Sequence, residues 1–455
     1  RRGSQCEMYR CHECPSLSQT AQSIPGSRTL RLTVKLILRC VIVLMLLCWL
    51  MVFLSFFGFG TRNTVGMATH SLPTSRAPSA AEVEDRLRGA LWGFFAGDAL
   101  SAPTHWYYGG QRQVVSEYGK PISDYTKPNM NLVGSILNKS NLNGGGRSSY
   151  AGGSGSMAKS IIGDVINHGK KDLWSPDKSI HYHATLEKGE NTLEVQIARV
   201  LMKNIVKNGG RFNLEDFRKA YIDFMMTPGS HNDTYASTCH RMFFSNLVHR
   251  KLTPEQCPDN DHHNVDTMDG LVLPTIAAMT NSDPVAASSC ARATRKSQVL
   301  EQVSSLWGSV VQAALLQSDD SSFYETLSQF SVQTIRRQPD PSVQDSQTMS
   351  ACYLSQSLPG LVDIMAKYVK SPTNDRVWNG LLANANVGGE NVHRGSIMGA
   401  ILGARTGASQ LPPHLIDGLY HRQQLYQEID EFVAAVLPSL VNQETTGRSS
   451  PETKE

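Results

Sequence analysis

The chain has 455 residues, of which 40% are hydrophobic and 18% charged, a composition typical of globular proteins. Its net charge is +3, and residues 1–39 alone contain seven basic and two acidic side chains. Because the rest of the chain has no basic excess, we expect no nucleic-acid partner for the globular part.

An apolar run without charges extends over the 21 residues from Cys40 to Gly60. This length is sufficient to span a bilayer as a helix. Since the basic residues precede the run, residues 1–39 are expected in the cytosol and the globular domain on the other side. The sequence therefore predicts a single-pass membrane protein with a signal anchor at 40–60 and a lumenal or extracellular domain. An organelle-targeting leader is the alternative, because this N-terminal segment is rich in arginine and poor in acids.

The segments after the apolar run differ in composition. Residues 61–80 are polar, contain two prolines and are predicted to form a linker. Residues 81–441 are predicted to form one domain, and the polar residues 442–455 a disordered tail. Strand-like patterning is restricted to Gln113–Tyr118, so a nearly all-α domain is expected. Helical periodicity predicts helices at 213–226, 235–250, 297–317, 321–336, 351–370, 375–386 and 394–405.

Two runs of glycine recur at every fourth position, so that each run lies on one face of a predicted helix. The glycines are Gly89, Gly93 and Gly97 in the first run, and Gly395, Gly399, Gly403 and Gly407 in the second. A glycine inside a helix costs about 1 kcal/mol relative to alanine. The repeat therefore predicts grooves in which two helix backbones approach closely. If the helices pack antiparallel, Asp98 would lie near Glu390, Asn391 and His393; ordinary capping of two tightly packed helices is the alternative interpretation.

The tripeptide Gly-Glu-Asn occurs twice, each time directly before an apolar helix, and contains Glu190–Asn191 in one copy and Glu390–Asn391 in the other. Asparagine is a good N-cap and an acid is favourable near a helix start, which explains each copy separately. The functional interpretation is that the two acids converge on one cation, because Mg²⁺ prefers oxygen ligands and keeps several waters.

Histidines and aspartates cluster in three further segments. They are His181 and His183; His231, Asp233 and His240; and His262, His263, Asp266 and Asp269. These residue types suit metal binding or acid–base chemistry. Their spacing fits no standard zinc motif, so a surface or loop role is the favoured interpretation for any single one of them.

Three segments together resemble the ADP-ribosylglycohydrolase family. LRGALWGFFAGDALSAP (87–103) is similar to the family's first helix, and NVGGENVHRGSIMGAILGA (386–404) to its closing glycine-rich helix. CYLSQSLPGLVDIMAKY (352–368) resembles the helix that precedes the family's closing helix. The likeness extends over residues 85–405. The branch that it resembles most contains the J-type crystallins, which can serve as lens proteins. The resemblance implies an all-α orthogonal helical bundle with a magnesium site in a cleft, and hydrolysis of bonds to ADP-ribose.

The chain departs from the family pattern at its acidic positions. Asp98 matches, but His105 lies where the family has a glutamate. The pair Glu190–Asn191 replaces two aspartates, and Glu390 and Val392 replace two more. Fewer carboxylates are left than two Mg²⁺ ions need, so at most one Mg²⁺ is expected.

These observations lead to the hypothesis of a hydrolase that cleaves a glycosidic bond of protein-linked ADP-ribose or of a small ADP-ribose conjugate. Its catalytic residues would be His105, Asp98 and Glu190; its metal ligands Glu190, Asn191, Glu390 and Asn391; and its substrate-binding residues His181, His183, His393 and Arg394. A hydrolase for a different glycosidic bond is a weaker variant. The alternative from another class is an inactive structural or ADP-ribose-binding protein on the same fold, which the missing aspartates favour.

Overall fold

The computed structural model describes residues 76–144, 159–258, 265–280 and 285–446. In these residues the regular structure is helical, and β-structure is limited to isolated bridges. The α-helices are α1 (Ala80–Ser101), α2 (Gly110–Tyr118), α3 (Leu193–Lys207), α4 (Leu214–Met226), α5 (Thr238–Val248), α6 (Val272–Ala277), α7 (Val285–Ala291), α8 (Gln298–Leu316), α9 (Asp320–Ile335), α10 (Leu354–Val369), α11 (Thr373–Val387), α12 (Asn391–Thr406), α13 (Pro413–Asp417) and α14 (Arg422–Thr446). The all-α prediction is confirmed for the described part of the chain.

The predicted strand at Gln113–Tyr118 is wrong, because these residues form most of α2. Val114 is the buried residue of this helix, whereas Val115 is exposed. Gly119 ends the helix in the left-handed conformation at φ 75°, which glycine adopts without strain. The two adjacent valines suggested a strand, but the packing of one of them and the glycine C-cap select a short helix.

Helices α1 and α12 pack antiparallel through their glycine faces, and the close backbone approach predicted from the glycine spacing is confirmed. The contacts pair Gly89 with Gly403, Gly93 with Gly399, and Gly97 with Gly395. A β-carbon on Gly97 would lie 2.0 Å from the carbonyl oxygen of Gly395, so the two backbones touch directly. Since α12 is buried along almost its whole length, this pair forms the centre of the core. It brings the C-terminal end of α1 to the N-terminal end of α12.

The last helix, α14, continues to Thr446. Residues 442–446, which were predicted as the start of a disordered tail, therefore belong to a helix, and residues 447–455 lie outside the described residues. The domain begins with Ser79, whose side chain accepts a hydrogen bond from the backbone of Glu82, while Glu82 bonds back to Ser79. This capping box fixes the start of α1 within two residues of the predicted boundary.

The prediction of a membrane location has to be corrected. Among the helices of the described residues, none combines the length and the apolar character needed to cross a bilayer. The expected single-pass protein with a lumenal or extracellular domain therefore finds no support and is withdrawn. The apolar run at 40–60, the segment 1–39 and most of the predicted linker lie outside the described residues.

Candidate active site

Asp98, in the last turn of α1, holds the start of α3. Its buried carboxylate accepts hydrogen bonds from the backbone N–H of Thr192 (2.8 Å), the hydroxyl of Thr192 (2.7 Å) and the side-chain amide of Asn191 (2.9 Å). Burial raises the pKa of Asp98, although these three donors oppose the shift. The amide of Asn191 also donates to the carbonyl of Phe95 (2.8 Å). The first Gly-Glu-Asn segment is thus fastened to α1 through Asp98.

The turn after α1 fastens the second Gly-Glu-Asn segment. Trp106 has a φ of 59°, a left-handed conformation that is rare for a bulky side chain and costs about 1–3 kcal/mol. Its backbone N–H donates to the carbonyl of Gly389 (2.8 Å), and its indole N–H donates to Oε2 of Glu390 (2.8 Å). These two bonds maintain the strained turn and place His105, the preceding residue, beside Glu390.

A chain of buried side chains leads from Asp233 to His105. The Nδ1 atom of His183 lies 2.9 Å from Oδ1 of Asp233, and its Nε2 atom lies 2.7 Å from Nδ1 of His105. An ionised carboxylate can only accept, so His183 donates from Nδ1. In the tautomer in which His183 accepts at Nε2 from the Nδ1–H of His105, the Nε2 atom of His105 has a lone pair. Burial lowers the pKa of His105 to about 4 and keeps it neutral at pH 7.

Glu390 and His393 form a buried ion pair at the start of α12. Oε1 of Glu390 bonds the Nδ1 atom of His393, while Oε2 lies 3.6 Å from Nε2 of His105, too far for a direct hydrogen bond. Burial disfavours both charges, but their attraction prevails. It raises the pKa of His393 to about 9 and holds that of Glu390 well below its usual value. At neutral pH, therefore, His393 is an imidazolium and Glu390 a carboxylate.

Two more buried acids interact with this pair, and each has its own basic partner. Asp269 accepts two hydrogen bonds from Arg295, one of them 3.0 Å long. Despite burial, Arg295 lowers the pKa of Asp269 to about 2. Glu194 lies 2.8 Å from Nε2 of His240, and this histidine holds the pKa of Glu194 below its usual value despite burial. The negative charges of both acids, Asp269 and Glu194, also raise the pKa of His393.

Aromatic rings surround the fully buried imidazole of His105. The Trp106 ring stacks on the imidazole of His105 with centroids 4.0 Å apart. Tyr182 and Tyr235 meet the same indole edge-on at 4.4 and 5.0 Å. This aromatic wall limits the access of bulk water and strengthens electrostatic interactions at the site.

Two predicted substrate-binding residues have structural partners here. His181 donates from Nε2 to the carbonyl of Pro103 (3.0 Å) and accepts at Nδ1 from the backbone N–H of His183 (3.0 Å), so both of its ring nitrogens are engaged. Arg394 is fully buried and donates to Asn384 (2.7 Å) and to the carbonyl of Thr348. These contacts position neighbouring backbone, and a role in substrate binding stays a prediction for both residues.

The predicted metal ligands do not all gather at one point. Oε2 of Glu190 accepts from the backbone N–H of Glu187 (2.7 Å) and from the amide of Asn232 (3.1 Å), and this acid lines a separate cavity of about 490 Å³. Asn391 donates to Thr104 (2.8 Å), and its buried Oδ1 atom has no hydrogen-bond partner in the described part of the chain. Instead of Glu190, the residues that approach Glu390 closely enough to share a metal ion are His105 and His393, with ligand atoms within 4.8 Å of one another.

The sequence profile of the ADP-ribosylglycohydrolase family matches residues 79–444, which is most of the chain. The chain belongs to the ADP-ribosylglycohydrolase family. A solved structure titled "ADP-ribosylglycohydrolase-related protein complex" is similar to it, with a TM-score of 0.47 and 15% sequence identity over 79% of this chain and 99% of the other. No curated protein matches the chain. The family resemblance is thereby confirmed by the profile, and the relation to the J-type crystallins stays a prediction.

ADP-ribosylglycohydrolases are usually metal-dependent, but the described site of this family member does not suit Mg²⁺. Magnesium requires near-octahedral oxygen ligands, whereas His105, Glu390 and His393 offer one carboxylate and two imidazoles. Such a mixed donor set is of the type that zinc accepts. Val392, which the family resemblance predicts to lie at an aspartate position, is fully buried and packs with Ala102 and Leu186.

Three acids of this buried cluster were absent from the predicted site residues. Asp233 and Asp269 lie in the histidine-containing segments that the sequence singled out, but nothing there indicated their partners. Glu194 lies four residues after Glu190. If α3 were extended by one turn toward its N-terminus, the two acids would lie on the same helix face. That spacing is the signal by which Glu194 could have been found.

Proposed function

We propose that this protein hydrolyses the glycosidic bond between ADP-ribose and a protein side chain or a small conjugate. Family membership supports the reaction class, and a buried group of acids and bases at the junction of α1 and α12 supports catalysis. The observation that carries the proposal is the 3.6 Å separation between Nε2 of His105 and Oε2 of Glu390. Both atoms are hydrogen-bond acceptors when Glu390 is ionised and His105 carries its proton on Nδ1, the tautomer described above.

A water molecule between these two acceptors would donate one hydrogen to each. Two hydrogen bonds of about 2.8 Å are compatible with acceptors at this separation. In the proposed step the water oxygen forms a bond to the anomeric carbon of the ribose, and its proton moves to Nε2 of His105. The glycosidic bond breaks, and its electron pair leaves with the departing group, which takes up a proton from the solvent; the proton on Nε2 of His105 returns to the solvent and regenerates the base. His183 and Asp233 hold the other ring proton of His105, so that Nε2 remains the basic atom.

Glu390 would also stabilise the transition state. Glycoside hydrolysis passes through a transition state that resembles an oxocarbenium ion, and a nearby carboxylate favours this positive charge. The ion pair with His393 keeps Glu390 ionised down to acidic pH, because it holds the pKa of Glu390 well below its usual value. The site thereby combines a neutral base with a permanently charged carboxylate.

The test measures release of ADP-ribose by the full chain from an ADP-ribosylated protein and from small ADP-ribose conjugates. We expect His105→Gln to lower the rate by about 10²–10⁴-fold, the usual contribution of a general base. His414→Gln is the matched control, because His414 is an exposed histidine of α13. A His105→Gln protein that is folded by circular dichroism and retains the wild-type rate would refute the proposed role.

The second candidate is a protein that binds ADP-ribose without turnover. The buried, apolar packing of Val392 at a former acidic position favours it. Saturable binding of ADP-ribose in a calorimetric titration, combined with no release from any conjugate, would support this candidate over the hydrolase.

A further inference from the structure

A cavity of about 680 Å³, which neither His105 nor Glu390 lines, has strongly charged walls. Five of the residues that line it are basic and three are acidic. The basic ones are Arg218, Arg250, Arg292, Arg295 and Lys296. One of the acids, Glu301, is bonded to Arg292 at 2.9 Å. Positive charge therefore predominates among the lining side chains, which favours negatively charged ligands.

Arg218, in α4, is a buried cation that has no carboxylate at ion-pair distance among the described residues. Its guanidinium donates to the carbonyl oxygens of Ala293 (3.3 Å) and Arg292 (3.1 Å). Burial lowers the pKa of Arg218, although the charge of Glu255 favours its ionised form from a distance. Burying a charge without a partner is unfavourable, and an anion in the cavity would supply that partner.

Arg295 contributes a buried donor that lacks an acceptor. This side chain is 2% exposed, and its Nη1 and Nη2 atoms bond Asp269. Its buried Nε atom has no hydrogen-bond partner in the part of the chain that the structure describes. Buried donors without acceptors are unfavourable and rare in folded proteins. Because Arg295 also lines the cavity, a ligand there would be able to provide the acceptor.

Two helices begin at the cavity. Leu214 and Glu215 belong to the first turn of α4, and Glu301 belongs to the first turn of α8. The N-terminal end of a helix carries a partial positive charge, which attracts anions. The backbone and the basic side chains of this cavity therefore favour ligands of the same sign.

We propose that this cavity binds the phosphate group of a small molecule and that Arg218 and Arg295 are the side chains that receive it. Guanidinium groups match the oxygens of phosphate in both geometry and charge. The volume lies within the range of small-molecule sites, about 300–1,000 Å³, so the cavity has room for more than the phosphate itself. The site is separate from the place of the proposed hydrolysis, to which Arg295 connects it through Asp269.

The test is a calorimetric titration of the full chain with inorganic phosphate and with pyrophosphate, at an ionic strength kept constant with NaCl. We expect saturable heat and a rise in Tm, because a ligand that binds the native state stabilises it. Arg218→Gln should weaken the binding by about 10–100-fold, the contribution of one charge-assisted hydrogen bond. Arg422→Gln is the matched control and should bind like the wild type, since Arg422 is an exposed arginine of α14 that bonds Asp417.

Glu255→Gln changes the charge of the cavity in the opposite direction. Glu255 lines the cavity, is exposed and interacts with the charge of Arg218. Its replacement removes a negative charge that repels the ligand, so phosphate binding should become about twofold to fivefold tighter, as expected for one exposed charge. A purely structural role of the arginines would not produce this gain.

Absence of saturable heat with both anions, or equal affinities of the wild type and a folded Arg218→Gln protein, would overturn the proposal. Heat that NaCl alone reproduces would also overturn it, because that result indicates screening of surface charges. If Arg218→Gln does not fold, an affinity that Glu255→Gln leaves unchanged overturns the proposal instead. Because no substrate is used, a negative hydrolysis assay leaves this test unaffected, and the two proposals fail separately.

Discussion

The two Gly-Glu-Asn segments share a sequence and a place before a helix, yet their acids have different surroundings. Glu190 is held by backbone and amide donors beside a cavity of about 490 Å³. Glu390 is bonded by His393 and Trp106 and lies near His105. The comparison teaches that a local motif specifies the helix start, whereas the neighbours delivered by other helices determine the chemistry of its acid.

The largest expected difference between the segments concerns activity. Glu390→Gln should lower ADP-ribose release by about 10²–10³-fold, because it removes the carboxylate that faces the reacting centre. Glu190→Gln is the matched substitution and should change the rate by less than about tenfold, since the proposed step does not involve it. Initial rates of release by the two variants provide the measurement. Equal losses would show that the acids act together, as the sequence suggested.

Removal of Asp98 should be the most destabilising change at the first segment. Asp98→Ala leaves the backbone and hydroxyl of Thr192 and the amide of Asn191 without their acceptor. A buried donor without a partner costs about 1–3 kcal/mol, so we expect a loss of roughly 3–5 kcal/mol in the free energy of unfolding. Urea denaturation measures this loss. Asp98→Asn, which retains one acceptor oxygen, should lose less, and an equal loss in both variants would contradict the hydrogen-bond explanation.

The second segment should have its own pH signature. The folded state raises the pKa of His393 from 6.5 to about 9. The stability that this contributes is complete below pH 6.5 and is lost as the pH rises through 9. On the order of 1–3 kcal/mol should therefore separate the wild type from His393→Gln at pH 6, and the difference should shrink toward pH 10. Urea denaturation at several pH values tests this, and a difference that is independent of pH would argue against the ion pair.

The smallest expected effect concerns the helix pair that aligns the segments. Gly97→Ala places a β-carbon 2.0 Å from the carbonyl of Gly395, so the helices must separate. Overpacking of this kind costs about 1–3 kcal/mol. Gly308→Ala in α8 is the control, because its β-carbon would lie 3.2 Å from the nearest atom, a side-chain carbon of Ala287. Thermal unfolding compares the two variants, and equal Tm values would exclude a close-contact role for Gly97.

The sequence by itself determined the helical class, the family and the close backbone approach of α1 and α12, whereas their antiparallel packing entered only as a condition. These features follow from periodicity and from glycine spacing, which are local and repeat along a helix. It misassigned Gln113–Tyr118, where two valines favour a strand but the burial of Val114 and the C-cap at Gly119 select a helix.

The tertiary structure alone decided which acid acquired which partner. Asp233 meets His183, Asp269 meets Arg295, and His105 lies beside Glu390, although these residues are 26 to 285 positions apart in the chain. No spacing in the sequence reports such pairs, because they depend on how helices and loops pack. The charge of His393 and the lone pair of His105 follow from those contacts, and with them the chemistry of the site.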